Sequence, residues 1–348
     1  MTETKTSDAT VSPKSDVDGT VTAGISINRP KKNRNFIAKY GIVVIWLVEI
    51  IVFSAIEGRT FFSVSNFKEI LSSQAALLIL VLAVVPTLAV GEVDLSVASV
   101  MALSATLFGQ LNGVDHVNML LSLLVALVAS ILVGLANGLV TVYLRVTGMI
   151  VTLGMGTLVL GLTVEISHSL TVGGISLAFQ HFVNKPIGGI NLAFYLALFL
   201  VIVLWYLFKH TPAGRWMLFA GFNREVARLS GINVSRLRMF GFIIGSFLAG
   251  CAGVVAIGIA GGADPSSFQP LLLPAFAAAF LGSLIFNPGR INAFGSAVAL
   301  YFLATGIVGI QLLGVGNWID DAFYGGALVI TVALSGLADI IRIRRKDS

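Results

Sequence analysis

The sequence predicts an all-α polytopic membrane protein of about ten transmembrane helices with both termini in the cytoplasm. Three observations carry that prediction: sparse charge, long apolar stretches, and basic residues confined to alternate loops. Of 348 residues, 11% are charged and 56% are hydrophobic, and the mean hydropathy is +0.94. A soluble domain carries roughly 25% charged residues. A water-soluble core of this size could not hide so much apolar surface. Soluble, disordered and fibrous classes are excluded. Nucleic-acid binding is excluded as a main role, because the net charge is only +5 and the basic residues are split among short segments. The single cysteine, Cys251, allows no intrachain disulfide or cysteine metal cluster. His116, His168, His181 and His210 never fall at i, i+4, so no helical metal site is expected.

Stretches free of Asp, Glu, Lys and Arg run over 70–91, 95–114, 117–144, 146–164, 186–208, 239–263, 265–289, 291–319 and 322–338. Residues 40–56 add a tenth, interrupted by Glu49. Each approaches or exceeds the roughly 20 residues that cross a bilayer. With the N-terminus inside, the inner segments hold seven basic residues in the N-terminal tail, Arg145, six between 209 and 238, Arg290 and four at the C-terminus. The outer loops hold Arg59, Lys68 and Lys185. This asymmetry is the positive-inside pattern and supports an even number of spans.

Residues 1–35 are rich in Thr, Ser, Asp and Lys, and read as a disordered cytoplasmic tail. No cleaved signal peptide is expected there, since the leader is long and no small-x-small site follows the first apolar run. Residues 36–341 form the transmembrane unit, with a cytoplasmic loop at 211–236, and residues 342–348 form a basic tail. Glycines four apart, at Gly134/Gly138, Gly241/Gly245 and Gly258/Gly262, predict close helix packing. Gly154 and Gly156 are the best candidates among the glycines for a backbone lining a polar path.

No lysine follows a glycine, so the G-x-x-x-x-G-K-[ST] phosphate cradle cannot occur. No cofactor is expected on this chain; any ATP and Mg must sit on a partner. No Ser-His-Asp or paired-acid arrangement stands out, and an enzyme is not expected. The first unusual stretch is Pro86 to Ser99. Pro86 removes a helix hydrogen bond and Gly91 loosens the chain. Glu92 and Asp94 follow among apolar neighbours, where acids face a protein interior or a wet cavity. Asp94 suits a cap or polar staple for the next helix, the lining of a solute path, or a proton relay. Glu49 and Glu165 read as interior or interface-level polar groups.

The second unusual stretch is Thr211 to Arg238. Pro212 and Gly214 are expected to break the preceding helix. Gly221 and Asn223 are expected to form a turn, with Asn223 capping a short helix from Arg224 to Ser230 that Gly231 ends. That helix carries Val226, Ala227 and Leu229 amid Arg224, Glu225 and Arg228. It suits a groove on a soluble partner, or else an ordinary membrane-surface loop.

These stretches, in order, resemble the permease subunits of carbohydrate-uptake ABC transporters of the ribose/xylose/autoinducer type. Gly91–Ser99 (GEVDLSVAS) resembles that family's G-G-I-D-L-S-V-G-S, and Phe61–Leu71 (FFSVSNFKEIL) its F-x-x-x-x-N-x-x-x-I-L. Asn137-Gly138-Leu139 with Ile150–Gly154 resembles N-G-L…I-x-T-L-G. Gly214–Ile232 resembles G-R-x(5)-G-x-N-x-E-A-A-x-x-S-G-I, and Leu312–Val315 a late L-L-G-V. The likeness covers about residues 60 to 340. The chain departs from it at Glu92 (for glycine), Val226 (for alanine) and 283–290, where Asn287-Pro288 replaces a glycine-rich turn.

The resemblance implies the type II ABC importer permease fold in a bacterial inner membrane, surrounded by lipid. It also implies a second permease subunit, identical or not, two cytoplasmic ATP-binding-cassette ATPases, and an extracytoplasmic sugar-binding protein. The expected ATPase-coupling residues are Gly214, Arg215, Asn223, Arg224, Glu225, Ala227, Arg228 and Gly231. The expected solute path comprises Glu92, Asp94, Ser96, Asn137, Thr152 and Gly154. The alternative is an ion-coupled secondary transporter of a small polar solute, with Glu49, Glu92 and Asp94 as relays. That reading requires inverted repeats and leaves the 211–236 loop unexplained.

Overall fold

The structure is a computed structural model that describes residues 33–286 and 289–344. Of the tails expected at 1–35 and 342–348, residues 1–32 and 345–348 lie outside the described residues, as does the Asn287-Pro288 departure, whereas 33–35 and 342–344 are helical and belong to the first and last helices. The described residues are mostly helical. In order, the helices are α1 (Asn33–Glu57), α2 (Val64–Ser73), α3 (Ala75–Ala89), α4 (Val97–Gly109), α5 (Met119–Tyr143), α6 (Gly148–Ile166) and α7 (Leu177–Val183). There follow α8 (Leu192–His210), α9 (Pro212–Phe222), α10 (Arg224–Leu229), α11 (Val234–Ala260), α12 (Leu272–Gly282), α13 (Ala293–Leu312) and α14 (Trp318–Arg344). Among the described residues, seven helices are long and apolar enough to cross a membrane, and eight if the bent pair α2–α3 is one span.

Several expected spans are subdivided. The 70–91 stretch bends by 47° between α2 and α3. The bend falls at Gln74, whereas α3 runs through Pro86 to Ala89. Pro86 is tolerated because it lies one turn from the helix end, where Thr87 Oγ1 donates to Val84 O at 3.0 Å. The 265–289 stretch divides into a 3₁₀ turn, Pro265–Leu271, and α12. At 11 residues, α12 is about 17 Å long, too short to span by itself. The 186–208 stretch begins as a two-stranded hairpin, β2 (Pro186–Ile187) with β3 (Ile190–Asn191). An earlier strand, β1 (Val172–Gly173), pairs antiparallel with β4 (Gly262–Ala263).

α11 is the central pillar, packed against α3, α4 and α5. Close approach explains its small residues. A Cβ added at Gly245 would lie 2.8 Å from Ala83 O on α3, and one at Gly253 would overlap Met101 O on α4. From α5, a Cβ at Gly134 would lie 2.6 Å from Phe242 O. Lipid supplies no hydrophobic drive between helices, so such backbone-level contact is what holds them. Around this centre, α3 is buried along almost its whole length, whereas α1, α5 and α6 expose apolar side chains.

The connections gather at two ends. At one end the α3–α4 turn meets the α9–α11 segment, with Gly221 O 3.3 Å from a Cβ built at Gly91. At the other end β1 pairs with β4, and Lys68 Nζ lies 2.6 Å from a Cβ built at Gly189.

Candidate functional site

The α3–α4 turn organises the site. Glu92 N donates to Thr87 O at 2.9 Å, and Gly91 adopts φ +73°, closing α3 as a left-handed helix end. The turn then sends two carboxylates in different directions. Asp94 is fully buried and enters a polar cluster. Its Oδ1 accepts from Ser96 N at 2.9 Å and from Ser96 Oγ at 2.6 Å. Ser96 Oγ in turn accepts from Asn137 Nδ2 of α5 at 2.8 Å. Thr152 of α6 accepts from Leu95 N through Oγ1 at 3.0 Å. One turn up α4, Ser99 Oγ accepts from Gln269 Nε2 at 2.8 Å, which ties in the 3₁₀ segment. Asp94, Ser96, Asn137 and Thr152 thus meet across α4, α5 and α6. Among the described residues, Asp94 Oδ2 and Asn137 Oδ1 have no hydrogen-bond partner. Each is a buried acceptor that could take a hydrogen from a donor such as a hydroxyl.

Gly154 is not brought to this cluster. It lies on the exposed face of α6, with nothing within 4 Å of a Cβ built there. Gly156 takes the inward position, where a Cβ would lie 3.3 Å from Ser99 Oγ and 3.4 Å from Ser96 Cα. The inner stripe Thr152, Gly156, Val159, Thr163 has helical spacing, and position 154 falls off it.

Glu92 points to the other side of the turn, where α9, α10 and α11 meet. Its Oε1 accepts from Arg224 Nη2 at 2.6 Å and from Arg238 Nε at 2.8 Å. The same Arg224 Nη2 donates to Gly91 O at 2.6 Å. Glu92 therefore joins residues of the 211–238 segment rather than the Asp94 cluster. Sequence reasoning missed Arg238; the available signal was the unpaired acid at a glycine position beside a basic loop.

The coupling candidates form one ordered element. Thr211 accepts from Gly214 N at 3.1 Å and starts α9, so the chain turns at Thr211 and continues as a helix through Phe222. Of the expected turn at Gly221–Asn223, Gly221 lies inside α9 and the break falls at Asn223, whose backbone is extended. Gly214 is buried beneath α8, where a Cβ would overlap Leu207 O, while Arg215 is exposed. Asn223 ends α9 and caps α10, its Oδ1 accepting from Val226 N at 3.0 Å. Gly231 at φ +79° ends the turn, and Ile232 N donates back to Ala227 O at 3.1 Å. Ala227 is fully buried, whereas Phe222, Glu225, Val226, Arg228 and Leu229 are exposed.

A polytopic helical membrane protein with a buried polar cluster at a helix break and an ordered amphipathic loop at one end suits a transport-type permease. Residues 66–332 match the family described as branched-chain amino acid transport system / permease component, and the chain belongs to that family. It is a multi-pass inner-membrane permease subunit. It is 28% identical over 305 residues to the D-allose transport system permease protein of Escherichia coli strain K12, covering 86% of this chain and 92% of that one. The ribose import permease protein of Haemophilus influenzae is 28% identical over 312 residues, covering 88% and 93%. The autoinducer 2 import system permease protein of Escherichia coli O9:H4 is 27% identical over 298 residues, covering 82% and 88%. No solved structure matches the chain.

Proposed function

We propose that this chain is the membrane subunit of an ATP-binding-cassette importer that carries a sugar or sugar-like solute into the cytoplasm by alternating access. The observation that carries the reading is the α9–α10 loop, an ordered element that faces away from the bundle. It presents Phe222, Val226 and Leu229 to solvent while Ala227 anchors it beneath. Exposed apolar residues at a capped helix suit a groove on a protein partner. The relatives named for allose, ribose and autoinducer 2 import support a hydroxyl-rich cargo.

In this reading two ATPases grip the 211–236 loops of two permease subunits, and a soluble binding protein delivers the solute from outside. Ten crossings result if α12 counts with its 3₁₀ lead-in and α14 completes the set. Asp94, Ser96, Asn137 and Thr152 offer hydrogen bonds along the path, and Gly154 lies on the outward face of α6, at the seam with the second subunit. Arg215, Glu225 and Arg228 contact the ATPase. ATP and Mg are held by that partner. The test is Gly231→Asp in the assembled importer. The φ of +79° at Gly231 disfavours any side chain, so the substitution distorts the loop and uptake falls with ATP hydrolysis no longer linked to it. Normal uptake by that variant contradicts the reading.

A further inference from the structure

Glu92 occupies a site built around it. Its side chain is 6% exposed, and it holds Arg224, at the first position of α10, and Arg238, in the second turn of α11. Two glycines make the meeting possible. A Cβ on Gly148, at the start of α6, would overlap Glu92 Oε2, and a Cβ on Gly221 would overlap Ala89 O, at the end of α3. One carboxylate therefore joins the α3–α4 turn to α10 and α11, with α6 packed against it. Arg224 strengthens the joint by donating from one nitrogen to Glu92 Oε1 and to Gly91 O, gripping side chain and backbone together.

Two residues beyond Glu92, Asp94 opens the buried cluster with Ser96 and Asn137. The intervening chain is short and pinned: Leu95 N is held by Thr152, and Ser96 N by Asp94. A displacement of α10 that pulls on Glu92 has little slack before it reaches the cluster. Severing the carboxylate leaves Arg238, at 17% exposure, without this partner. Removing one member of a buried charge cluster is the costly change, because the remaining charge keeps its desolvation penalty.

We propose that Glu92 is an ionic latch that transmits movement of the 224–229 helix through Arg224 to the Asp94–Ser96–Asn137 cluster. Glu92 is a positioning residue and does not itself contact solute. The transmission step rests on the importer reading above, whereas the latch as a mechanical joint does not.

The experiment separates the two. Amide hydrogen exchange is followed in the full chain alone, in lipid nanodiscs, for wild type, Glu92→Gln and Glu92→Asp. In Glu92→Gln, exchange across 224–231 and across 93–100 rises about tenfold, within the range typical of coupled sites. Glu92→Asp, which keeps the charge, stays closer to wild type than Glu92→Gln does. Unchanged exchange in Glu92→Gln, or a rise confined to 224–231, overturns the latch. In the importer assembled with its ATPase, Glu92→Gln lowers solute moved per ATP hydrolysed by about tenfold. Unaltered stoichiometry overturns the transmission role. An exchange result as expected, in a chain that supports no ATP-driven uptake, sustains the joint and defeats the importer reading instead.

Discussion

At the residue scale, neighbouring carboxylates are given separate duties by the turn that carries them. Asp94 is inward, with Ser96 on one oxygen and the other oxygen open. Replacing Asp94 with alanine removes the acceptor that orders Ser96 and, through it, Asn137. Uptake of the cognate solute is expected to fall about tenfold or more at unchanged membrane abundance, since a hydrogen bond to a charged group contributes roughly 1.5–3 kcal/mol; unchanged uptake removes Asp94 from the path. On the 211–236 loop, Ala227 and Val226 form a contrasting pair. Ala227 is fully buried and Val226 is 45% exposed. Ala227→Asp places an unpaired acid beneath α10 and is expected to cost roughly 2–5 kcal/mol of local stability, read as faster proteolysis near residue 227. Val226→Asp leaves that packing intact and lowers ATPase co-purification instead. The Glu92 partnership was not legible in the sequence. Its partners lie 132 and 146 positions away, and a basic loop looks the same whether its arginines face lipid headgroups, an ATPase or an interior acid. The family resemblance did place Glu92 where the motif has glycine.

At the element scale, helix identity was largely written in the apolar runs, and helix continuity was not. Pro86 and Gly91 are conspicuous, yet the bend falls at Gln74. A proline near a helix end loses little. The caps were readable: Asn223 starts α10 and Gly231 follows its end, as short side-chain acceptors and a left-handed glycine require. Gly134/Gly138 and Gly241/Gly245 were readable as close helix contacts, though not which helices they join; Gly258/Gly262 is not a helix pair, because α11 ends at Ala260 and Gly262 lies in β4. α11 supplies the answer, facing α3 through Gly245 and α4 through Gly253. Gly245→Leu is therefore expected to push α11 from α3 and lower thermal stability by roughly 1–3 kcal/mol, measured as a drop in the melting temperature of the detergent-solubilised chain. Gly154→Ala, with open space around its Cβ, is expected to leave that temperature unchanged.

At the scale of the whole molecule, the Asp94 cluster and the 211–236 loop lie on the two sides of one turn, so on the latch proposal their movements share one joint. Nothing in the sequence supplies a phosphate cradle, so on the importer reading energy arrives from a partner chain. The most direct measurement is solute uptake in proteoliposomes containing this chain with and without its cognate ATPase. The account predicts accumulation against a gradient that needs the ATPase and ATP, and that persists when ionophores dissipate ion gradients. Uphill uptake by the chain alone, driven by a proton or sodium gradient, contradicts it.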